Sequence, residues 1–326
     1  MELSDAYGRR INYLRLSVTD RCNLRCRYCM PEEGVPILGH GEILTYEELT
    51  TIARVAVRLG IEKIRITGGE PLVRKGIIPF LAGLSGIPSL RHLALTTNGL
   101  LLDEMAEGLW SAGVQRLNIS LDSLRHDTFA AITRGGDLNR VLAGLAAAER
   151  AGFRSLKVNM VVMRGINDLE ILDFAALTLD RPYAVRFIEF MPTAGEKDWQ
   201  GYSIPGSELL ERISRHYPLR PVDKGEFAGP ARDYMITGAA GTIGFITPIF
   251  CHFCSDCNRI RITSTGKAKG CLFSDEEFDL KPLLKSGDEA GLEEALRKVV
   301  SIKQDRHRIT ENEAGPTPFE MSKVGG

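Results

Sequence analysis

Two periodicities alternate along the first part of the chain. Short aliphatic and β-branched runs predict six strands, over residues 13–18, 63–67, 92–96, 114–120, 156–162 and 185–190. Longer stretches with helical spacing predict helices over residues 46–59, 102–112, 138–151 and 169–179. Strands and helices that alternate in this way favour an α/β fold with a parallel sheet.

Each predicted strand is polar at alternate positions and aliphatic at the others. Because successive strand residues point to opposite faces, the polar set shares one face: Arg15, Ser17, Lys63, Arg65, Thr67, Thr96, Asn118, Ser120, Lys157, Asn159 and Arg186. An open sheet covered by helices would favour two apolar faces. The pattern therefore predicts a sheet curled around a polar lumen, a partial six-stranded (β/α) barrel similar to a TIM barrel. The alternative is that some of these residues face solvent at strand ends.

The alternation stops after Pro192. A turn-rich stretch leads to one predicted helix, over residues 207–216, and to predicted strands over residues 232–237, 242–247 and 258–263. We expect a small antiparallel carboxy-terminal cap. The predicted organisation is a barrel core over residues 1–192 and a cap over residues 193–326.

The overall charge narrows the range of partners. With 41 basic and 42 acidic residues the net charge is -1, which favours neither nucleic acid nor a membrane surface as a partner. The first ten residues are polar and no apolar run approaches the roughly 18 residues of a membrane span, so we expect no signal peptide and a cytoplasmic location. Five basic residues on the polar strand face instead indicate a local anion site, for example for a polyphosphate.

Seven cysteines fall in two groups. Cys22, Cys26 and Cys29 have the spacing C-x3-C-x2-C directly after the first predicted strand. Three thiolates can hold three irons of a 4Fe-4S cluster and leave the fourth iron without a protein ligand. Zinc also accepts thiolates, but a structural zinc site has four ligands, and no fourth cysteine or histidine lies nearby in the sequence.

These motifs resemble two nested families. The cysteine motif with Tyr28 before its last cysteine, and the Thr67-Gly68-Gly69-Glu70-Pro71 segment, are similar to the hallmarks of the radical S-adenosylmethionine (SAM) superfamily. Further segments resemble the GTP 3',8-cyclases of molybdenum-cofactor biosynthesis: Leu16-Ser-Val-Thr-Asp-Arg-Cys22, Thr96-Thr-Asn-Gly99, Asn118-Ile-Ser-Leu-Asp122, Cys254-Ser-Asp-Cys257-Asn-Arg-Ile-Arg261 and Gly325-Gly326.

The resemblance implies SAM as cosubstrate, chelated by the open iron of the first cluster and cleaved reductively to a 5'-deoxyadenosyl radical. The residues similar to the family's SAM contacts are Tyr28, Gly69, Ser120 and Met191. Glycine at position 69 also has a physical reason, because close backbone approach to a ligand favours a residue without Cβ.

The second cysteine group resembles the family's second cluster motif, C-x2-C-x13-C, at Cys254, Cys257 and Cys271. In the family the purine of GTP docks on the open iron of this 4Fe-4S cluster. The chain adds Cys251, and four thiolates could close the cluster or bind zinc. We expect Cys251 to be a bystander, because the family's flanking residues surround Cys254 and Cys257.

The positions that match the family's GTP contacts are mostly basic: Arg15, Arg65, Thr96, Lys157, Arg186, Arg259 and Arg261. The side chains of an Arg-x-Arg pair are more often exposed to solvent than bound to a ligand. Binding of GTP is favoured here only because the strand parity and the family motif agree. Lys63 shares the parity alone and is a candidate phosphate contact. The six histidines have no ligand spacing and are expected to be structural, and the Gly-Gly tail is expected to enter the active site, although Phe319-Glu320-Met321 departs from the arginine expected before the methionine.

The implied enzyme is a lyase that converts GTP into (8S)-3',8-cyclo-7,8-dihydroguanosine 5'-triphosphate. The adenosyl radical would abstract hydrogen from C3' of GTP, the sugar radical would attack C8, and one-electron reduction would follow, with no catalytic acid-base pair among the residues. Implied partners are an electron donor such as flavodoxin or ferredoxin, a downstream cyclic pyranopterin monophosphate synthase and, as one assembly, a homodimer. The alternatives are a radical SAM enzyme that modifies a peptide, and a structural zinc protein.

Overall fold

The computed structural model describes residues 2–36, 38–193, 198–223, 225, 229–309 and 321. The predicted Gly325-Gly326 tail lies outside the described residues. Within this part of the chain there are twelve strands: β1 (Tyr13–Ser17), β2 (Lys63–Thr67), β3 (His92–Thr97), β4 (Arg116–Ser120), β5 (Leu156–Val162), β6 (Ala184–Glu189), β7 (Leu219–Pro221), β8 (Arg232–Ile236), β9 (Thr242–Ile246), β10 (Arg259–Ile262), β11 (Lys267–Lys269) and β12 (Phe278–Asp279). The six strands predicted before Pro192 are all present, with bounds that differ by no more than two residues.

One sheet contains all the described strands, in the order β12-β11-β10-β1-β2-β3-β4-β5-β6-β9-β8-β7. From β10 to β9 every neighbouring pair is parallel, and antiparallel strands extend both edges. The chain therefore has an α/β fold with a large parallel sheet, as its alternating pattern predicts.

Ten helices are present in the described residues: α1 (Tyr46–Arg58), α2 (Ile77–Ser85), α3 (Leu102–Ser111), α4 (His126–Thr133), α5 (Leu138–Ala151), α6 (Ile171–Asp180), α7 (Trp199–Tyr202), α8 (Gly206–Ser214), α9 (Lys281–Ser286) and α10 (Glu289–Ser301). Helix α1 begins at a capping box, in which the Thr45 hydroxyl accepts from the Glu48 N–H and the Glu48 carboxylate accepts from the Thr45 N–H. The pattern missed α2 because apolar residues, Pro79 and Gly83 leave it without a clear polar face.

The antiparallel cap predicted after residue 193 is right in part: β9 pairs antiparallel with β8 and β10 with β11, but the expectation of a separate cap is wrong. Strand β9 pairs in parallel with β6, and β10 pairs in parallel with β1, so both extend the main sheet. All four residues of β10 are buried, which is typical of a strand inside a parallel sheet. Strand periodicity reports which residues share a face and carries no information about the pairing partner, and β1 lies far from β10 in sequence.

The apolar face of the sheet and the inner faces of its helices form one large core, which includes Ile64, Leu95, Ile119, Val158 and Val185. The opposite face carries the polar positions, and its place in the site is described below. Among the described helices, none combines the length and apolar composition needed to cross a membrane.

The junction between β6 and β9 provides a test of this topology. A Cβ at Gly241 would lie 2.2 Å from the Tyr183 carbonyl oxygen and 2.6 Å from that of Arg181. Both oxygens belong to the backbone segment directly before β6. We expect Gly241→Ala to lower the free energy of unfolding by about 1 to 3 kcal/mol in urea titrations, the usual cost of overpacking. Gly83→Ala is the control, because its Cβ meets no atom within 4 Å, and it should leave stability unchanged or raised. Equal effects of the two substitutions would contradict the β6–β9 contact.

Candidate active site between two cysteine loops

One cavity is bordered by the polar face of the sheet and by both cysteine groups. Each predicted site residue borders it: Cys22, Cys26, Cys29, Cys254, Cys257, Cys271, Tyr28, Gly69, Ser120, Met191, Arg15, Arg65, Thr96, Lys157, Arg186, Arg259 and Arg261. Lys63 and Met321 border it as well. The structure thus brings together residues that are separated by more than half of the chain, and their individual roles remain predictions.

The loop after β2 holds the first cysteine loop in place. The Gly69 N–H donates to the Thr19 carbonyl at 2.8 Å, and the Glu70 N–H donates to the Arg21 carbonyl at 2.8 Å. A Cβ at Gly69 would lie 2.4 Å from the Arg21 carbonyl oxygen, which is closer than atoms approach. In this structure the missing Cβ therefore lets two backbone loops touch just before Cys22, which is a second reason for glycine besides approach to a ligand.

Glu70 joins the loops that follow β2 and β3. Its buried carboxylate accepts from the Leu72 N–H at 3.0 Å, the Thr97 hydroxyl at 2.8 Å and the Asn98 N–H at 2.7 Å. Burial raises the pKa of Glu70 to about 7 although these hydrogen bonds act to lower it. The glutamate of the Gly-Gly-Glu-Pro segment is therefore a structural anchor for the rim of the cavity.

Tyr28 is fixed by a partner that the sequence did not indicate. Its hydroxyl donates to Asp122 Oδ2 at 2.7 Å, and Asp122 Oδ1 accepts from the Val161 N–H at 2.8 Å. Burial raises the pKa of Asp122 to about 6 against the lowering effect of both hydrogen bonds. Asp122 thus connects the cysteine loop to the ends of β4 and β5, next to Ser120.

The thiol positions fit clusters better than single ions. Tetrahedral zinc with zinc-sulfur bonds of about 2.3 Å would hold its sulfurs about 3.8 Å apart. Neither cysteine group brings three sulfurs within 4.8 Å of one another in the described chain. Burial raises the pKa of Cys22 to about 11 and that of Cys26 well above its ordinary value, so these thiols favour the thiolate form only with a metal bound. Three thiolates in each loop are the donor set of a 4Fe-4S cluster with one open iron.

The second cysteine loop is held by two buried cations. Arg9 donates to the carbonyls of Cys254 at 2.7 Å and Asp305 at 2.8 Å while it pairs with Asp5 at 2.6 Å. Lys303 donates to Cys257 Sγ at 3.3 Å. Burial acts to raise the pKa of Cys257, but Arg259 and Lys303 lower it to about 6. This thiol is therefore prepared to bind metal as a thiolate.

Cys251 lies outside the residues that border the cavity. Its Sγ accepts from the Arg232 guanidinium at 2.8 Å, on the side of β8. Of the four cysteines in this part of the chain, Cys254, Cys257 and Cys271 share the cavity and Cys251 does not, an arrangement that suits the expected bystander.

Two histidines lie beside Cys254, which the sequence spacing did not predict. The rings of His252 and His307 are in contact, with centroids 4.3 Å apart and planes tilted by 40°, and one nitrogen of each lies within 4.8 Å of Cys254 Sγ and of the other. His307 also contacts the Pro248 carbonyl at 2.9 Å. Because His307 follows Cys254 by a long stretch of chain, no local motif could have revealed this group.

The basic residues form an ordered block because of the parallel register. Arg15 lies opposite Arg65 on β2 and opposite Arg261 on β10, and Arg259 lies two residues earlier along β10, on the same face. Residues paired in this way point to the same face. The block continues around the cavity to Lys157 and Arg186, which are on paired strands β5 and β6. Arg259 and Arg261 are 9% and 7% exposed, so both point into the cavity and neither lies on the outer surface of the protein.

Burial and mutual repulsion make the charged forms of the lysines in this block less stable. Burial, followed by repulsion from Arg186, Arg65 and Lys63, lowers the pKa of Lys157 to about 6. Burial lowers the pKa of Lys63 to about 8. The binding of a multiply charged anion would reverse both effects and restore the protonated lysines.

Polar atoms without partners concentrate in the same place. Among the described residues, thirteen buried side-chain nitrogen or oxygen atoms have no hydrogen-bond partner, and ten of them belong to residues that border this cavity. They include Nε of Arg15, Arg65, Arg186 and Arg259, together with Thr96 Oγ1. Buried polar groups are normally paired, so the cavity is built to receive a ligand rich in acceptors.

Cys251 and Cys254 differ in their expected effect on the second cluster. We expect Cys251→Ser to retain roughly eight irons per chain after anaerobic reconstitution, and Cys254→Ser to retain about four, because only Cys254 borders the cavity. Iron analysis and paramagnetic resonance of the reduced protein measure the difference. If Cys251→Ser also lost half of its iron, Cys251 would be a ligand.

Comparisons with known proteins agree with the site. The Radical SAM superfamily model matches residues 16–178, and the Molybdenum Cofactor Synthesis C model matches residues 183–309. The chain is 65% identical to a GTP 3',8-cyclase of Geobacter sulfurreducens over the whole of both chains, and 48% identical to one of Pelotomaculum thermopropionicum over 99% of this chain and 100% of the relative.

Among solved structures, Streptococcus suis SuiB bound to S-adenosylmethionine superposes with a TM-score of 0.57 at 15% identity, over 89% of this chain and 67% of SuiB. At that identity the likeness shows a shared fold. The cavity between two cysteine loops, the two matching family models and the full-length relatives lead to one conclusion: the chain belongs to the GTP 3',8-cyclase family of the radical SAM superfamily.

Proposed function

We propose that the cavity converts GTP into (8S)-3',8-cyclo-7,8-dihydroguanosine 5'-triphosphate, with SAM as cosubstrate and two 4Fe-4S clusters, as a lyase of molybdenum-cofactor biosynthesis. The observation that carries this proposal is the placement of a buried basic block between two groups of three cysteines in one cavity. Membership of the GTP 3',8-cyclase family supports the same reaction.

The proposed SAM end of the cavity lies beside the first cysteine loop. Cys22, Cys26 and Cys29 would hold a cluster there, and when bound it supplies the electron that cleaves SAM. The proposed SAM contacts are Tyr28, Gly69, Ser120 and Met191, all of which border this cavity. The Asp122 hydrogen bond would keep Tyr28 in one orientation, and the packed loops after β2 and β3 would keep water from the reacting groups.

The proposed GTP end lies beside the second cysteine loop. Cys254, Cys257 and Cys271 would hold the cluster whose open iron meets the purine. Arg15, Arg65, Lys157, Arg186, Arg259 and Arg261 would bind the triphosphate, with Thr96 as a further contact and Lys63 as an additional cation. Guanidinium groups form paired hydrogen bonds with phosphate oxygens, and several of these groups have an Nε that lacks a partner. Fixed donors at both ends would place C3' of the ribose toward SAM.

Finer features of the organisation belong to the same proposal. Because strands from β10 to β9 all contribute to the border of one cavity, we propose that the sheet forms a partial barrel around it. The division into a core over residues 1–192 and a carboxy-terminal part over residues 193–326 remains a prediction. The cytoplasmic location, a flavodoxin or ferredoxin donor, a cyclic pyranopterin monophosphate synthase as the next enzyme, and a homodimer are likewise predictions.

The two alternatives are less well supported. A peptide substrate would not account for a cavity with so many buried cations. Streptococcus suis SuiB has also been crystallised bound to a precursor peptide, but at 14% identity the likeness of that structure shows the fold alone and does not indicate a peptide substrate for this chain. A structural zinc protein would hold its sulfurs closer together than either cysteine group does in the described residues.

A direct test is anaerobic reconstitution followed by incubation with SAM, dithionite and GTP. The wild-type chain should produce 5'-deoxyadenosine and the cyclised triphosphate in a GTP-dependent manner, as measured by liquid chromatography. Cys26→Ser should lose cleavage of SAM and retain about four irons in the second cluster. Full production of 5'-deoxyadenosine by Cys26→Ser would refute the assignment of the first cluster.

Replacing Arg259 or Arg261 by Ala should weaken GTP binding by about 1.5 to 3 kcal/mol, the range for hydrogen bonds to charged groups. Anaerobic calorimetry measures the affinity. Arg140→Ala is a suitable control, because Arg140 pairs with Glu104 on the exposed outer surface. Unchanged GTP affinity in both cavity variants would rule out the proposed triphosphate site.

A further inference from the structure

Tyr13 is a residue without positive charge that lies among the cations of the basic block. On β1 it lies between Lys63 of β2 and Arg259 of β10, to which it is paired in register. Arg15, two residues along the same strand, has the same arrangement with Arg65 and Arg261. Tyr13 is therefore surrounded by cations on both neighbouring strands and along its own.

The contacts of the ring and of the hydroxyl differ. Lys63 Nζ lies 4.6 Å from the centroid of the Tyr13 ring, and the Arg65 guanidinium carbon lies 5.6 Å from it. The side chain borders the cavity and is only 2% exposed. Its hydroxyl is buried and has no hydrogen-bond partner among the residues that the structure describes. A buried hydroxyl that makes no bond in its own protein is placed for a bond with something bound in the cavity.

The charges around Tyr13 act on its ionisation. Burial alone would raise the pKa of Tyr13, but Arg65, Arg15, Lys63 and Arg259 together lower it to about 7. Lys157, Arg186 and Arg261 border the same cavity and add to its positive potential. Asp233 pairs with Arg186 at 3.7 Å at one side of this block, and the phenol oxygen of Tyr13 can supply a further negative charge among Arg15, Lys63, Arg65 and Arg259.

We propose that Tyr13 is a substrate-binding residue that serves as a removable counter-ion: its phenolate balances the basic block when the site is free, and its hydroxyl donates to the triphosphate when GTP is bound. This inference rests on the proposed GTP site. Binding adds a multiply charged anion next to the phenolate, and the repulsion between them is relieved when the oxygen takes up one proton from solvent. The proton then lies in the hydrogen bond between Tyr13 and a phosphate oxygen.

Proton uptake by Tyr13 would make the affinity for GTP decrease as the pH rises. Below the pKa of the free site the tyrosine is already neutral, and GTP binds without a proton from this group. Above that pKa each bound GTP must bring one proton to Tyr13, so affinity falls by up to about tenfold per pH unit. Lys63 and Lys157 also gain protons on binding, because their lowered pKa values would rise beside the triphosphate. The proton uptake that is due to Tyr13 is therefore the difference in proton uptake between the wild type and a variant that lacks only the Tyr13 hydroxyl.

The experiment compares the reconstituted wild-type chain with Tyr13→Phe between pH 6.5 and 9. GTP binding is measured anaerobically by calorimetry in buffers of different ionisation enthalpy, which gives protons taken up per GTP. We expect an affinity that falls more steeply with pH in the wild type than in Tyr13→Phe. At the acid end the variant should bind more weakly by about threefold to tenfold, the loss of one hydrogen bond. Tyr46→Phe is the matched control and should behave as wild type. The Tyr46 ring also lies beside a cation, with the Arg74 guanidinium carbon 4.1 Å from its centroid, but neither residue borders the cavity.

A second measurement removes the dependence on the variant's folding. The near-ultraviolet absorption of tyrosinate in the wild-type enzyme, titrated with base, should show one tyrosine that ionises near neutrality, and GTP should shift this step to higher pH. If no tyrosine titrates below about pH 9 in the free enzyme, or if pH profiles of wild type and Tyr13→Phe coincide, the inference is wrong even though GTP binds. If the wild-type enzyme does not bind GTP at all, the proposed function itself fails.

Discussion

The burial of like charges is the constraint on which the rest of the site depends. Six arginine and lysine residues of the basic block are at most 9% exposed, in a chain whose net charge is only -1: Arg15, Lys63, Arg65, Arg186, Arg259 and Arg261. Clustering like charges in the interior destabilises a fold, because their mutual repulsion is stronger in a poorly polarisable interior than in water. Such a cluster persists because the surrounding sheet and core fix it, and an anionic ligand relieves it. The lowered pKa values of Lys63 and Lys157 show the strain on the free site.

Parallel pairing produces this cluster and also joins it to the cysteine loops. Register places residues of neighbouring strands side by side on one face, so basic residues from β10, β1 and β2 become direct neighbours. Strand β1 leads into the first cysteine loop, and β10 begins directly after the loop that carries Cys254 and Cys257. The packing of Gly69 against Arg21, and the hydrogen bonds of Arg9 to the second loop, then fix where those loops lie relative to the cations. The binding of an anion and the binding of two metal groups are thus consequences of one topology.

Sequence reasoning was most successful where the information is local. Alternation along each strand identified Arg15, Lys157 and Arg186 as residues of one face, and cysteine spacing identified both loops. It failed where information comes from distant pairing. The parallel pairing of β10 with β1 and of β9 with β6 could not be foreseen, so the expectation of a separate antiparallel cap was wrong although β9 does pair antiparallel with β8. Tyr13 has the same parity as Arg15 and Ser17, so the signal was present, but an aromatic residue in a strand usually belongs to the core. Asp122, Lys303 and His307 could be recognised only from the folded chain, because each contacts a cysteine-loop residue remote from it in sequence.

In the proposed reaction SAM and GTP meet in one cavity, with C3' of the ribose facing the site of SAM cleavage. Anaerobic turnover of GTP that carries deuterium at C3' tests this arrangement, with mass spectrometry of the 5'-deoxyadenosine formed. One deuterium in the 5'-deoxyadenosine is the predicted result, because a hydrogen atom passes between substrates that the cavity holds in contact. Unlabelled 5'-deoxyadenosine formed together with the cyclised product would contradict it.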